Sequence, residues 1–199
     1  MNPQDLQNYE FILASGSPRR RELLAMLDVN FRVDTSRSVD EVVPPGMAAA
    51  DVPAYLSTLK AQPYVADLTS NQVLITADTV VILDGEVIGK PKDAADACAI
   101  LARLAGHTHT VVTGVSIALP GRTALHTFSE QTQVEFAPLS AEEISYYVTR
   151  YSPMDKAGAY GIQEWIGAAA VKGMNGSFYN VMGLPINRLY RELKSLLPD

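Results

Sequence analysis

Apolar residues change their spacing several times along the 199-residue chain, and each change marks an expected element. Phe11–Ala14 is a continuous apolar run, the pattern of a buried strand. It feeds the turn Ser15-Gly16-Ser17-Pro18, after which Leu23, Leu24 and Leu27 recur at helical spacing. Ser17 suits the N-cap and Pro18 the first helical position, so a helix is predicted from Pro18 to about Leu27. Phe31–Asp34 reads as a second strand. Arg37–Asp51, polar and carrying Pro44-Pro45-Gly46, reads as a loop, and Val52–Ala61 as a short helix that Pro63 stops.

The strand signal is strongest over Val73–Ile88, where two apolar halves flank Asp84-Gly85, a dipeptide that favours a type I′ hairpin turn. Asp93 is placed to cap a helix in which Ala97, Ile100, Leu101 and Leu104 share a face, with Gly106 just past its end. Thr108–Leu119 and Thr123–Phe136 read as long strands around Pro120-Gly121. Ser140-Ala141-Glu142-Glu143 is a capping box that opens a helix to about Arg150. Ala168–Met174 and Phe178–Met182 read as strands that pair across Asn175-Gly176. Leu184–Leu197 closes the chain as an amphipathic helix with Pro185 in its first turn. No repeat, low-complexity tail or linker interrupts this order, so one compact mixed α/β unit is expected.

Composition narrows the function classes. With 47% hydrophobic and 19% charged residues the chain is ordinary globular material. A net charge of −6 and a pI near 5.1 argue against a general nucleic-acid or membrane-surface binder. Any phosphate must therefore meet a local cluster of cations. The single cysteine, Cys98, excludes an internal disulfide and fits a reducing compartment; among alanines it reads as a small core residue. No run approaches the ~20 apolar residues of a membrane span, and Phe11–Ala14 is too brief for a signal-peptide core. A cytoplasmic location is the expectation.

Three places carry candidate chemistry. Arg19, Arg20 and Arg21 crowd the first turn of the first helix, where free N–H groups already present positive charge. The bland account is surface arginines snorkelling along the helix. The sharper one is an anion site, built from a strand, a small glycine-containing loop and a helix N-terminus. On dipole grounds alone, glutamine at Arg19 or Arg20 is expected to leave stability unchanged or slightly raised. Asp78 lies in Thr76-Ala77-Asp78-Thr79, between apolar Val73–Ile75 and Val80–Leu83 in a strand that looks buried on both faces, and a carboxylate there needs a partner, either a structural bond or a bound metal. Asp40 and Glu41, in the polar loop, offer a second carboxylate, and taken alone read as solvated surface. Gly85-Glu86-Val87-Ile88-Gly89-Lys90-Pro91-Lys92 fails as a Walker A loop in glycine spacing and in the hydroxyl that Pro91 replaces. Lys90 and Lys92 nonetheless sit between a hairpin and a helix start, where phosphate contacts are plausible. Lys60, in mid-helix, reads by itself as surface. His107 and His109 fall on one side of a strand, as a metal pair or as structural residues. Asn175-Gly176-Ser177 reads as a turn.

With LASGSPRRRELL, ITADTVVILDGEVIGKPKD, DKAGAYGIQ and NGSFYNVMGLP in this order, the chain resembles the Maf family of nucleotide pyrophosphatases from about Phe11 to Leu197. The resemblance implies a single two-lobed mixed-sheet domain over residues 1–199, with flanking helices and the active site in the cleft between lobes. It also implies cleavage of nucleoside triphosphates to the monophosphate and pyrophosphate with a divalent cation (Mg2+ or Mn2+), and a homodimer. Such enzymes are regarded as removing non-standard nucleotides, and some are linked to arrest of septum formation. By motif, Ser15, Arg19 and Arg20 belong to the phosphate-binding turn, Asp78 is the catalytic acid and Glu41 a second acidic position, both at the metal. Lys60 and Lys90 match lysines that contact the triphosphate. Arg19, Thr79 and Gln163 match positions linked to base choice. The stretch Ala157–Gln163 looks like the branch acting on dTTP and UTP, while a sister branch prefers 7-methyl-GTP. A nucleotide-binding regulator of cell division with incidental turnover would need the same pocket.

Overall fold

The computed structural model describes residues 3–122 and 124–197. Its strands are β1 (Glu10–Leu13), β2 (Phe31–Val33), β3 (Gln72–Leu83), β4 (Glu86–Ile88), β5 (Thr108–Ala118), β6 (His126–Phe136) and β7 (Val171–Asn175). The helices are α1 (Pro18–Ala25), α2 (Val52–Val65), α3 (Ala94–Leu104), α4 (Ala141–Tyr151), α5 (Trp165–Ala170), α6 (Phe178–Met182) and α7 (Ile186–Leu196). One mixed sheet runs in the order β2-β1-β3-β5-β6-β7, with β4 paired to β3. Thr123, expected to open a strand, lies outside the described residues. The expected class, mixed α/β, holds. Two units divide the chain: Met1–Asp78 with Thr113–Glu130 and Gly183–Asp199, and Thr79–Val112 with Gln131–Met182.

In the first unit β1 pairs in parallel with both β2 and β3, and Ile12 lies opposite Leu74. Because strand side chains alternate, Leu74, Thr76 and Asp78 share one face of β3. Helix α2 covers that face. Its Ala61 and Tyr64 join Ile12, Leu74 and Ala118 in one buried cluster. The start of α2 lies so close to β5 that a Cβ on Gly114 would fall 2.2 Å from the Ala54 nitrogen. Only glycine permits that approach.

Helix α2 also corrects an expectation. It continues through Pro63 to Val65 instead of stopping at Ala61. Proline removes a single helical hydrogen bond so near the end. Against that loss, Tyr64 is buried in the core and its hydroxyl donates to the Asp34 carbonyl at 3.0 Å while accepting from the Arg37 N–H at 3.2 Å. Tertiary anchoring outweighs the local stop.

In the second unit the Asp84-Gly85 hairpin forms as expected. Both residues have positive φ, 51° and 82°, and Leu83 pairs with Glu86. Asp93 caps α3, whose buried residues are the four predicted, although Cys98 is only half-buried. Ser140 and Glu143 complete the capping box of α4. The expected hairpin across Asn175-Gly176 does not form. Residues 168–170 belong to α5, β7 pairs with β6 instead, and Phe178–Met182 is the helix α6. The cause is Asn180: its buried amide donates to the Val111 carbonyl at 3.1 Å and to Thr132 Oγ1 at 3.0 Å.

Candidate active site

Ser17 caps α1 as the sequence predicts, its hydroxyl accepting from the Arg20 N–H, and Pro18 fills the first turn. The helix ends at Ala25, ahead of the expected Leu27, with Leu23 and Leu24 buried. The three arginines then part company. Arg21 is exposed, whereas Arg19 and Arg20 are half-buried. The Arg20 guanidinium donates to the Gly183 carbonyl at 2.8 Å and to Ser15 Oγ at 3.3 Å. Ser15 Oγ also accepts from the Ser17 N–H at 3.3 Å, so the turn is tied from both ends. Arg20 thus has a structural bond that the dipole argument did not count. Its removal leaves a carbonyl short of a donor, and the expected sign of the stability change at this position reverses.

Burial pushes the Arg20 guanidinium below its ordinary range, and the charge of Asp78 opposes that push; Arg19 adds to it and Glu41 opposes it. That places two carboxylates and two guanidinium groups within electrostatic reach of each other in the first unit. Lys60 completes the set. Its ammonium lies 2.7 Å from Asp78 Oδ1 and 3.0 Å from Glu41 Oε2. The Lys60 and Asp78 side chains are 21% and 15% exposed, so the carboxylate in the apolar run is paired and still within reach of solvent. Lys60 is therefore not the surface residue that its mid-helix position suggests.

The local packing explains why Lys60 reaches Asp78. One helical turn before it, the Ser57 carbonyl accepts from Thr76 Oγ1 at 2.6 Å, and Ser57 Oγ meets Ser116 Oγ at 2.8 Å. Thr76 and Asp78 are two apart on β3, and Ser57 and Lys60 three apart on α2. Pinning one pair sets the other. Sequence reading missed Ser57, Gly114 and Ser116, and named Thr76 only as a neighbour of Asp78. The same-face spacing of Thr76 and Asp78 was the signal available, and it lacked only the identity of the covering helix.

The remaining expected residues belong to the second unit. Thr79 is half-buried and follows Asp78 on the opposite strand face. Lys90 and Gln163 are exposed. His107 and His109 do not form a pair. His107 lies exposed ahead of β5 with Nδ1 2.9 Å from the Ala105 carbonyl, while His109 is buried with Nε2 2.7 Å from the Tyr160 hydroxyl. Burial pushes the His109 imidazole down to about 4. Among the described residues, no group of three or more His, Cys, Asp or Glu side chains gathers as a metal cluster, and no helix is long and apolar enough to cross a membrane.

Asp78, Glu41, Lys60, Arg19 and Arg20 set three cations against two anions beside the N-terminus of α1. Such a cluster can hold a polyanion and still offer carboxylate oxygens for proton transfer or a hard cation. A chain from Phocaeicola vulgatus, described as a dTTP/UTP pyrophosphatase, is 49% identical over 97% of this chain and 99% of its own length. One from Porphyromonas gingivalis with the same description is 50% identical over 96% of each. Among solved structures, a HAM1 protein from Coxiella burnetii superposes with a TM-score of 0.51 at 16% identity, covering 94% of this chain and 99% of that one, a likeness of fold. The description of the Maf-like protein family matches residues 10–196, and by that span and those identities the chain belongs to the Maf-like protein family.

Proposed function

We propose that the protein hydrolyses nucleoside triphosphates, dTTP and UTP foremost together with modified relatives, to the monophosphate and pyrophosphate, and so removes non-standard nucleotides. The observation that carries the reading is the Lys60 ammonium shared by Asp78 and Glu41 beside an arginine-bearing helix start. The relatives' descriptions support it. Under this reading the enzyme works in the cytoplasm as a homodimer with no nucleic-acid or membrane partner, in keeping with its acidic composition and single cysteine.

Arg19 and Arg20, with the first-turn N–H groups of α1, neutralise the charge that gathers on the departing pyrophosphate. Ser15 holds Arg20 in place for that contact. Lys60 and Lys90 bind triphosphate oxygens as point charges. An Asp78 carboxylate oxygen accepts the proton of the water that attacks the α-phosphorus in line. Two carboxylates that converge on one ammonium are a fitting oxygen donor set for Mg2+ or Mn2+. Asp78 and Glu41 would hold that cation, whose chemistry is to polarise the phosphate and acidify the attacking water. Thr79 and Gln163 take part in base choice; the Gln163 amide offers a donor and an acceptor that match the O4 and N3–H edge of thymine or uracil.

The test is a panel of nucleotides assayed on the purified protein for pyrophosphate release. Pyrophosphate from dTTP and UTP, lost on chelation and restored by Mg2+ or Mn2+, is the expected result. Release of inorganic phosphate with a diphosphate would put the cut at the wrong bond. Preference for 7-methyl-GTP would overturn the base assignment. Binding without turnover would favour a regulatory role.

A further inference from the structure

Lys156 is 8% exposed, a degree of burial that a lysine tolerates only with close partners. Its ammonium lies 2.9 Å from Asp155 Oδ1 and 3.2 Å from Glu164 Oε1. The other Glu164 oxygen, Oε2, accepts from the Tyr147 hydroxyl. That hydroxyl in turn accepts from the Gly161 N–H at 3.0 Å. Lys156, Glu164, Tyr147 and the Gly161 backbone thus form one connected path, closed around residues 156–164. Tyr147, in α4, is fully buried and supplies a rigid post.

The segment it holds has an unrelaxed backbone. Gly158 and Ala159 stand in succession at φ 70° and 56°, and for alanine that region is unfavourable. Gly158 donates its N–H to the Gly89 carbonyl at 3.0 Å, which ties the segment at its other end. Space is tight as well: a Cβ on Gly161 would lie 2.9 Å from the Glu164 carboxyl carbon. Gln163 emerges from this segment exposed, directly before Glu164 and after the buried Ile162. An amide that reads a base edge works only if its backbone is held to a fraction of an ångström.

We infer that Lys156, Glu164 and Tyr147 are positioning residues for base selection, holding the backbone from which Gln163 reads the nucleobase. This rests on the assignment of Gln163 to the base. The ionic path touches no substrate; it acts through Gln163.

The test uses the full-length protein and compares kcat/KM for dTTP, UTP and CTP. Tyr147→Phe keeps the ring and removes the one hydroxyl that links Gly161 to Glu164. It is expected to raise KM for dTTP and UTP and to narrow their lead over CTP by about five-fold, the worth of one good hydrogen bond, with kcat held within about two-fold. Lys156→Met is expected to shift the ranking further, and Lys156→Arg to recover part of it. If Lys156→Met does not fold, Tyr147→Phe and Gly161→Ala carry the test. Gln163→Ala separates the two ways to fail. A ranking that collapses in Gln163→Ala but stays as wild type in folded Tyr147→Phe overturns the positioning role alone. A ranking unmoved by Gln163→Ala overturns the base assignment and the inference with it.

Discussion

Two lysines in this molecule each bridge a pair of carboxylates, and their surroundings differ. Lys60 joins Asp78 to Glu41 with its own side chain 21% exposed, so water reaches the ammonium between the two acids. Lys156 joins Asp155 to Glu164, with its own side chain 10% exposed and the second Glu164 oxygen taken by Tyr147. The same ions serve opposite ends. A bridge whose ammonium is reached by water can exchange it for another cation or a proton. A carboxylate such as Glu164, whose two oxygens are both taken by protein donors around a buried ammonium, can only hold its shape.

The widest separation between the two bridges should come from neutralising one member of each. Asp78→Asn is expected to lower kcat by about 10²–10⁴-fold, the range of a lost general base, with a melting temperature close to wild type. Lys156→Met should do the reverse: lose about 3–5 kcal/mol of stability by breaking a buried pair, yet keep kcat at saturating dTTP. Steady-state kinetics and thermal melts on both proteins decide it. Near-normal turnover in Asp78→Asn would reduce the open bridge to a structural one.

The arginine turn allows a finer contrast within the first unit. Arg20→Gln should cut kcat/KM by about 10–100-fold through a lost charge-assisted phosphate contact, and also cost about 1–3 kcal/mol by stranding the Gly183 carbonyl. Arg21→Gln, exposed one position on, should stay within about 0.5 kcal/mol and keep wild-type kinetics. Equal kinetic losses at both positions would point to bulk charge instead of a directed contact.

The last contrast concerns a buried base whose Nδ1 has no partner among the described residues. His109 sits against the Phe136 and Tyr160 rings with its Nδ1 unpartnered, and burial holds its pKa near 4 against the usual 6.5. The unfolded chain takes up this proton below pH 6.5 while the fold does not until about pH 4. The contribution is therefore full above pH 6.5 and is lost as pH falls towards 4. By pH 5 the loss is about 2 kcal/mol. Melts of wild type and His109→Gln over that window should diverge in slope; parallel curves would mean that His109 charges within the fold. Lys60 and Lys156 lie beside acids, His109 does not, and the contrast among the three turns on that difference.

Much of the local architecture was legible from neighbours in sequence. Ser17-Pro18, the Ser140–Glu143 box, the Asp93 cap and the Asp84-Gly85 turn all form where expected, because each motif satisfies backbone groups within about one helical turn. At the arginine turn, charge and helix polarity alone raised the expectation of an anion site. The failures share a cause. Pro63 did not end its helix because Tyr64 is held by Asp34 and Arg37, and Phe178–Met182 did not become a strand because Asn180 is held by Val111 and Thr132. In both, a buried polar side chain found its partner far along the chain.

Taken alone, the sequence determined where helices and turns begin, which carboxylate stood in an apolar run, and which cations clustered at a helix start. Period, capping and dipole act over a few residues, so no fold is needed to read them. The tertiary structure decided who answers each charge. Lys60 meets Asp78 across 18 positions and Arg20 meets Gly183 across 163, distances that only sheet order and helix docking can close. Burial, too, is a property of what lies on top. Two lysines of equal chemistry came to differ, one reached by water and one buried against a tyrosine-held carboxylate, because packing set the solvent around each.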